Sequence, residues 1–327
     1  MRWATYRSKT AASAADRVGL VVGESVHGLP PGIRLLELLG DRGEKLAQAA
    51  ERAKRSPSEV LPLDQVRLRP PVDHPPAIRD FSSFLEHHRA GIQAIGQKFD
   101  EAWFEFPFFY FSNPNTLLGD SDEFKMPANS GQMDYELEIC AVIGRAGMDI
   151  DPAEAESYIA GYSIFNDWSA RDLQRDEMAR APVGPAKGKD TANSIGPFLV
   201  TPDELEDRRK DQAFDLKMTA TVNGRQYSAG NWSTVYWSMA EMIAYASRNT
   251  RLIPGDILCT GTVGTGCILE LSTTHGSDEY PWLKPGDELV LEVERLGRLR
   301  NRIGVGEPPK PIRGRINGSR ASGAKRQ

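Results

Sequence analysis

The sequence predicts an α+β protein rich in β-structure, and three features carry that prediction. Short apolar runs, several with period-two alternation, recur through most of the chain. Turn signals stand between them, at Asn223-Gly224, Pro254-Gly255-Asp256 and Pro285-Gly286-Asp287. A few stretches, near 33–56, 80–98 and 237–249 among them, read as helices, so strands dominate. With 327 residues, 40% hydrophobic and 26% charged, the chain has room for one large domain, a smaller one and a substantial core.

Residues 1–72 read as a small N-terminal α/β module. Two apolar runs within 17–29 flank Gly23-Glu24-Ser25 and predict a hairpin. The Leu, Ala, Glu and Lys of 33–56 predict helix, broken by Gly40 and Gly43. Residues 66–69 fit a closing strand. The run Arg69-Pro70-Pro71-Val72-Asp73-His74-Pro75-Pro76 can continue neither helix nor central strand and reads as a linker. A second unit, 73–306, opens with a helix over 80–98 that would put Asp80 and His87, two turns apart, on one face. An apolar strand follows over 104–111, then a hairpin of 215–222 with 226–229 around Asn223-Gly224. An amphipathic helix over 237–249 and strands over 257–262, 266–272 and 288–295 complete it. No internal repeat is present.

The densest chemistry lies between residues 133 and 174. In Tyr135-Glu136-Leu137-Glu138-Ile139-Cys140-Ala141-Val142-Ile143-Gly144 the alternation sends Glu136 and Glu138 off one strand face. A helix starting at Asp167 would line up Asp167, Arg171 and Gln174 on one stripe. Carboxylates crowded together repel, and burying them is costly unless a cation pairs with them. Oxygen-only ligands suit a hard cation, Mg²⁺ or Ca²⁺ ahead of Zn²⁺. A Glu-x-Glu in isolation is more often simply the wet face of an antiparallel strand.

Composition excludes several classes. No run approaches the length of a membrane span, and the N-terminus lacks the apolar segment of a secretion signal. Cys140, Cys259 and Cys267 lack metal-binding spacing and sit in apolar runs, which points to buried thiols in a reducing, cytoplasmic compartment. The net charge is −5, but residues 312–327 hold five basic groups and no acid, so the body carries about −10. That argues against nucleic acid as a partner. The tail, 307–327, has the composition of a disordered end.

Further runs then align with one family. They are Arg79-Asp80-Phe81-Ser82-Ser83 with His87 beyond it, Tyr135-Glu136-Leu137-Glu138, and Asn166-Asp167-Trp168-Ser169-Ala170-Arg171-Asp172-Leu173-Gln174. They continue with Gly188-Lys189, Val235-Tyr236-Trp237-Ser238-Met239, Pro254-Gly255-Asp256-Ile257-Leu258-Cys259-Thr260-Gly261-Thr262 and Leu269-Glu270-Leu271-Ser272. In order and spacing, over about residues 79–306, the chain resembles the fumarylacetoacetate hydrolase superfamily, near the fumarylacetoacetase type with a His/Glu dyad. The resemblance implies a mixed β-roll, a homodimer and a divalent metal, Mg²⁺ first, with Mn²⁺ or Ca²⁺ as alternatives. It makes Asp80, Glu136, Glu138 and Asp167 the metal ligands, His87 the general base and Glu270 its orienting partner. Lys189, Arg171 and Gln174 would bind substrate oxygens, with Tyr110 and Thr262 also lining the site. One position departs from the family's tyrosine-degradation hydrolases: their arginine nine residues past the histidine is Gly96 here, with Lys98 nearby.

Three functions fit these residues. The first is metal-dependent hydrolysis of a carbon–carbon bond in a 1,3-diketo acid such as fumarylacetoacetate or an acylpyruvate. The second is lyase or isomerase chemistry on the same scaffold, of the oxaloacetate decarboxylase or hydroxymuconate isomerase type. The third, a non-catalytic cation-binding protein, leaves His87 and Glu270 without a purpose. Fold alone does not choose between the first two.

Overall fold

The computed structural model describes residues 1–10, 15–180 and 184–311. Residues 312–327, the bulk of the basic tail, lie outside the described residues. Among the described residues, a twelve-stranded sheet forms the frame. Its main path runs Glu59–Pro62, Ser25–Gly28, Arg17–Val22, Arg2–Ser8, Asn193–Val200, Ile159–Asp167, Leu137–Ile143, Ile257–Cys259, Ile78–Phe81 and Phe109–Ser112. The strands of residues 1–72 therefore continue the same sheet as the central strands, joined where Arg2–Ser8 pairs antiparallel with Asn193–Val200. A five-stranded sheet, Arg225–Asn231, Lys217–Val222, Glu288–Val293, Gly297–Val305 and Glu123–Met126, packs against the centre of the first.

The central strand Leu137–Ile143 is buried along its whole length because it separates two cores. Leu137, Ile139, Ala141 and Ile143 face the core shared with the five-stranded sheet. Cys140 and Val142 face the other core, with Trp3, Phe165 and Leu46 of the Glu44–Arg55 helix. The period-two alternation thus sorts the strand between two apolar faces rather than between core and water. Trp168 stacks on Phe124 with centroids 4.2 Å apart and donates to Ser194 Oγ at 2.8 Å, tying the two sheets together at the site end.

Both predicted hairpins are present, Arg17–Val22 with Ser25–Gly28 and Lys217–Val222 with Arg225–Asn231. The predicted helices appear as Glu44–Arg55, Leu85–Ala94 and Met239–Ala246, the last with a Ser238/Glu241 capping box. Three local expectations are overturned. Asp80 is not helical but lies on Ile78–Phe81, where it pairs with Cys259 on one side and Tyr110 on the other. Ser83 then bonds Thr260 O through its amide at 3.1 Å and turns the chain into the helix only afterwards. Asp167 ends a strand, Ile159–Asp167, and the helix begins at Arg171. Residues 266–272 form no strand; Ile268–His275 is a helix. Long-range pairing decided the first two, and the distant Asp134 carboxylate, which accepts the Ile268 and Leu269 amides, caps Ile268–His275.

Candidate active site

Four carboxylates converge where the central strands end. Asp80, Glu138 and Asp167 are at most 1% exposed, and Glu136, in the segment leading into Leu137–Ile143, is 6% exposed. Glu136 and Glu138 are therefore not a wet strand face. Asp80 Oδ1, Glu138 Oε1 and Asp167 Oδ1 are buried without a hydrogen-bond partner among the described residues. Burial, then the charge of Asp167, pushes the Asp80 carboxyl well above the ordinary range. Burial and Asp80 do the same to Glu138, and burial raises Asp167 to about 6. Three orphaned oxygens in a dry, self-repelling set fit a divalent cation held by oxygen.

Lys189 supplies internal counter-charge. Its Nζ donates to Glu136 Oε2 at 2.5 Å and to Asp167 Oδ2 at 2.7 Å. The Tyr110 hydroxyl reaches the same Asp167 oxygen and lies 3.0 Å from Asp80 Oδ2. Burial opposes charge on Lys189, but Asp167 and Glu136 outweigh it and keep the ammonium protonated. Glu136 is the one member whose oxygens are both engaged, by Lys189 and by Arg171 NH2 at 2.8 Å. Burial works against its ionised form, yet Lys189 and Arg171 hold it below the ordinary range.

Two glycines make this packing possible. Gly261 donates its amide to Glu138 Oε2 at 3.1 Å from a left-handed φ of 75°, where a Cβ would come 2.0 Å from Phe81 O. A Cβ on Gly188 would come 2.6 Å from the Gln174 backbone, so only glycine lets Lys189 approach this closely. Thr262, next after Gly261, is buried.

Arg171 is buried among acids, its NH2 at ion-pair distance, 2.8 Å, from both Asp134 Oδ2 and Glu136 Oε1. Its Nε donates to Asp134 Oδ2 at 2.8 Å, and NH1 donates to Gln174 Oε1 at 3.2 Å. Asp134 also accepts from the Ile268 and Leu269 amides at 2.7 and 3.0 Å, capping the helix that carries Glu270. Sequence reasoning missed Asp134. Its signal was an acid one residue ahead of the Tyr135-Glu136-Leu137-Glu138 run, unpaired by any local basic neighbour.

His87, on Leu85–Ala94, and Glu270, on Ile268–His275, come from two helices packed on each other. His87 Nδ1 lies 3.1 Å from Glu270 Oε2, and Glu270 Oε1 accepts the Thr265 amide at 2.8 Å. The imidazole is within electrostatic reach of Glu136 and, after burial is outweighed by Lys189 and Arg171, helps hold that carboxyl low. His88 turns away, stacks on Trp103 between Phe99 and Phe108, and meets Ser82 Oγ at 3.0 Å. Burial, then His87, pushes its pKa down to about 4, as a structural histidine requires. A cleft of about 420 Å³ opens beside Lys189, lined by Phe111, Asn113, Lys187 and Asp190.

Residues 77–304 match the family described as fumarylacetoacetate (FAA) hydrolase C-terminal. The chain belongs to the fumarylacetoacetate hydrolase family. A 2,4-didehydro-3-deoxy-L-rhamnonate hydrolase of Sphingomonas sp. (strain SKA58) is 36% identical over 200 residues, 60% of this chain. That match spans 65% of the hydrolase, slightly less than two thirds of its length. A human mitochondrial oxaloacetate tautomerase is 29% identical over 80% of this chain and 77% of its own. A fumarylacetoacetate hydrolase from Exiguobacterium antarcticum shares the fold with a TM-score of 0.69 and 25% identity, covering 94% of this chain and 100% of that one. The maleylpyruvate hydrolase of Sphingobium sp. SYK-6, solved with manganese(II) and pyruvate, superposes with a TM-score of 0.70 at 23% identity, over 94% and 100% of the two chains. These relatives are enzymes, both hydrolases and tautomerases. Among the described residues no helix is long and apolar enough to cross a membrane.

Proposed function

We propose that the protein is a metal-dependent hydrolase that cleaves a carbon–carbon bond in a 1,3-diketo acid of the acylpyruvate class. The observation that carries this reading is the His87–Glu270 pair within electrostatic reach of Glu136, whose cluster holds three orphaned carboxylate oxygens. Asp80, Glu138 and Asp167, with Glu136, would hold the metal, as Mg²⁺ or Mn²⁺. When bound, it would act as a Lewis acid, polarising the diketone and favouring enolate charge by several kcal/mol.

The chain's own residues supply the rest. Glu270 fixes the proton of His87 on Nδ1, leaving Nε2 free to accept one. That nitrogen takes a proton from water as its oxygen adds to the distal carbonyl. The tetrahedral adduct then expels the enolate, and His87 returns the proton to the leaving carbon. General-base help of this kind contributes ~10² to 10⁴ in rate. Glu270 stabilises the imidazolium while it lasts, as the acid of a triad does. Lys189 presents fixed positive charge beside the cluster. Arg171, engaged by Asp134, Glu136 and Gln174, orients Glu136 and Gln174 in this scheme.

The competing reading is tautomerase, decarboxylase or isomerase chemistry on the same cluster, favoured by the oxaloacetate tautomerases that align over 80% of the chain. The reading as a whole includes a cytoplasmic homodimer. Metal-loaded protein screened against 2,4-diketo acids and oxaloacetate, with enol absorbance followed and products identified, tests it. Release of pyruvate and a carboxylic acid from an acylpyruvate is the expected result. Ketonisation or carbon dioxide release alone would favour the alternative.

A further inference from the structure

The pair His87–Glu270 is one side of a triangle whose third corner, Cys267, has no part in the proposed hydrolysis. Cys267 Sγ lies 3.9 Å from His87 Nδ1, and that nitrogen lies 3.1 Å from Glu270 Oε2. One ligand atom from each of the three residues falls within 4.8 Å of the others. Tetrahedral zinc, with bonds of about 2.3 Å to sulfur and 2.0–2.1 Å to nitrogen and oxygen, spaces sulfur from nitrogen by ~3.6 Å and nitrogen from oxygen by ~3.3 Å. Both observed separations are within ~0.3 Å of those values. Nitrogen, sulfur and oxygen donors also make a softer set than the neighbouring carboxylates, and so select a different ion.

The corners are held in place. Glu270 Oε1 is anchored by the Thr265 amide, and Asp134 pins the first turn of the helix that follows Cys267. The His87 side chain is 17% exposed, which gives an ion a way in.

We propose that His87, Cys267 and Glu270 form an inhibitory Zn²⁺ site, distinct from the carboxylate cluster. Zinc takes Nδ1 of His87, the nitrogen whose proton Glu270 otherwise holds. The imidazole proton moves to Nε2, the Cys267 thiol loses its proton to solvent, and Glu270 contributes a carboxylate already ionised. The ion gains three protein ligands and one proton is released. With Nε2 protonated, His87 can no longer accept a proton from water. Binding depends only on the triangle; the inhibition rests on the hydrolase reading above.

The test uses the full chain saturated with Mg²⁺, with Co²⁺ as a spectroscopic substitute for zinc. Wild type should show thiolate-to-cobalt charge-transfer absorption in the near ultraviolet. Cys267→Ser should abolish it and His87→Asn should weaken it, whereas Cys259→Ser should keep it. Cys259 is the control because it lies with Asp80 and Glu138 in the other cluster. Zinc inhibition, scored against each protein's own zinc-free rate, should weaken at least about tenfold in Cys267→Ser. Absence of the band in wild type overturns the site whatever the variants do. So does a band lost in Cys259→Ser and kept in Cys267→Ser. A band that behaves as expected without zinc inhibition of turnover keeps the site and removes the dyad from catalysis.

Discussion

His87 Nδ1 and Glu270 Oε2 meet at 3.1 Å although 183 residues separate them and each sits on its own helix. The contact aligns the ring and favours the charge that forms when it takes a proton. Glu270→Gln keeps the shape and removes that charge, which matters mainly as the proton moves. Turnover should therefore fall by ~10²-fold with KM changed far less. Steady-state kinetics on an acylpyruvate check this, and a loss confined to KM would assign Glu270 to substrate binding.

The carboxylate cluster should depend on its cation. Excess chelator should abolish turnover, and Mg²⁺ or Mn²⁺ should restore it. Glu138→Gln removes one charge from a fully buried ligand set and should weaken metal binding strongly, because affinity follows charge count. Elemental analysis and a metal titration read the effect directly. Full activity with no metal present would contradict it.

Asp134 should behave as a structural keystone. It accepts Arg171 Nε and two amides of the Glu270-bearing helix while fully buried. Asp134→Ala leaves a buried guanidinium and a helix end short of a partner and should cost about 3–5 kcal/mol in stability. Denaturant unfolding measures this. An unchanged midpoint would show that Glu136 and Gln174 satisfy Arg171 alone.

Which acids gather at this site was legible in the sequence, while its local conformations were not. The alternation around Glu136 and Glu138 put both acids on one side, and burial there is what makes them a candidate cage. Asp80 read as helical because residues 80–98 carry a helical pattern, whereas its strand depends on Cys259 and Tyr110 far along the chain. Ile268-Leu269-Glu270-Leu271 is too short for periodicity to tell strand from helix. Its cap, Asp134, lies 134 residues from Ile268 and leaves no local trace.

Asp172 should make stability sensitive to acid. Burial raises its pKa, but the hydroxyl of Ser130 and the amides of Gly131 and Leu173 outweigh that and hold the carboxyl below its ordinary value. The unfolded chain then binds this proton more readily than the folded one. The contribution is complete above the ordinary aspartate range and is lost as pH falls through the lowered folded value. Melting curves against pH for wild type and Asp172→Asn should differ near neutrality and converge in acid. A constant difference down to low pH would remove the carboxylate's charge from the explanation.

The central claim is that His87 activates water without serving as a ligand in the carboxylate cage. His87→Ala tests it when metal content, acylpyruvate hydrolysis and oxaloacetate turnover are measured side by side with wild type. The account predicts metal content within error of wild type, carbon–carbon hydrolysis lowered by at least ~10²-fold, and any enolate chemistry on oxaloacetate retained. Undiminished hydrolysis in the variant, or loss of the metal with the imidazole, would contradict it.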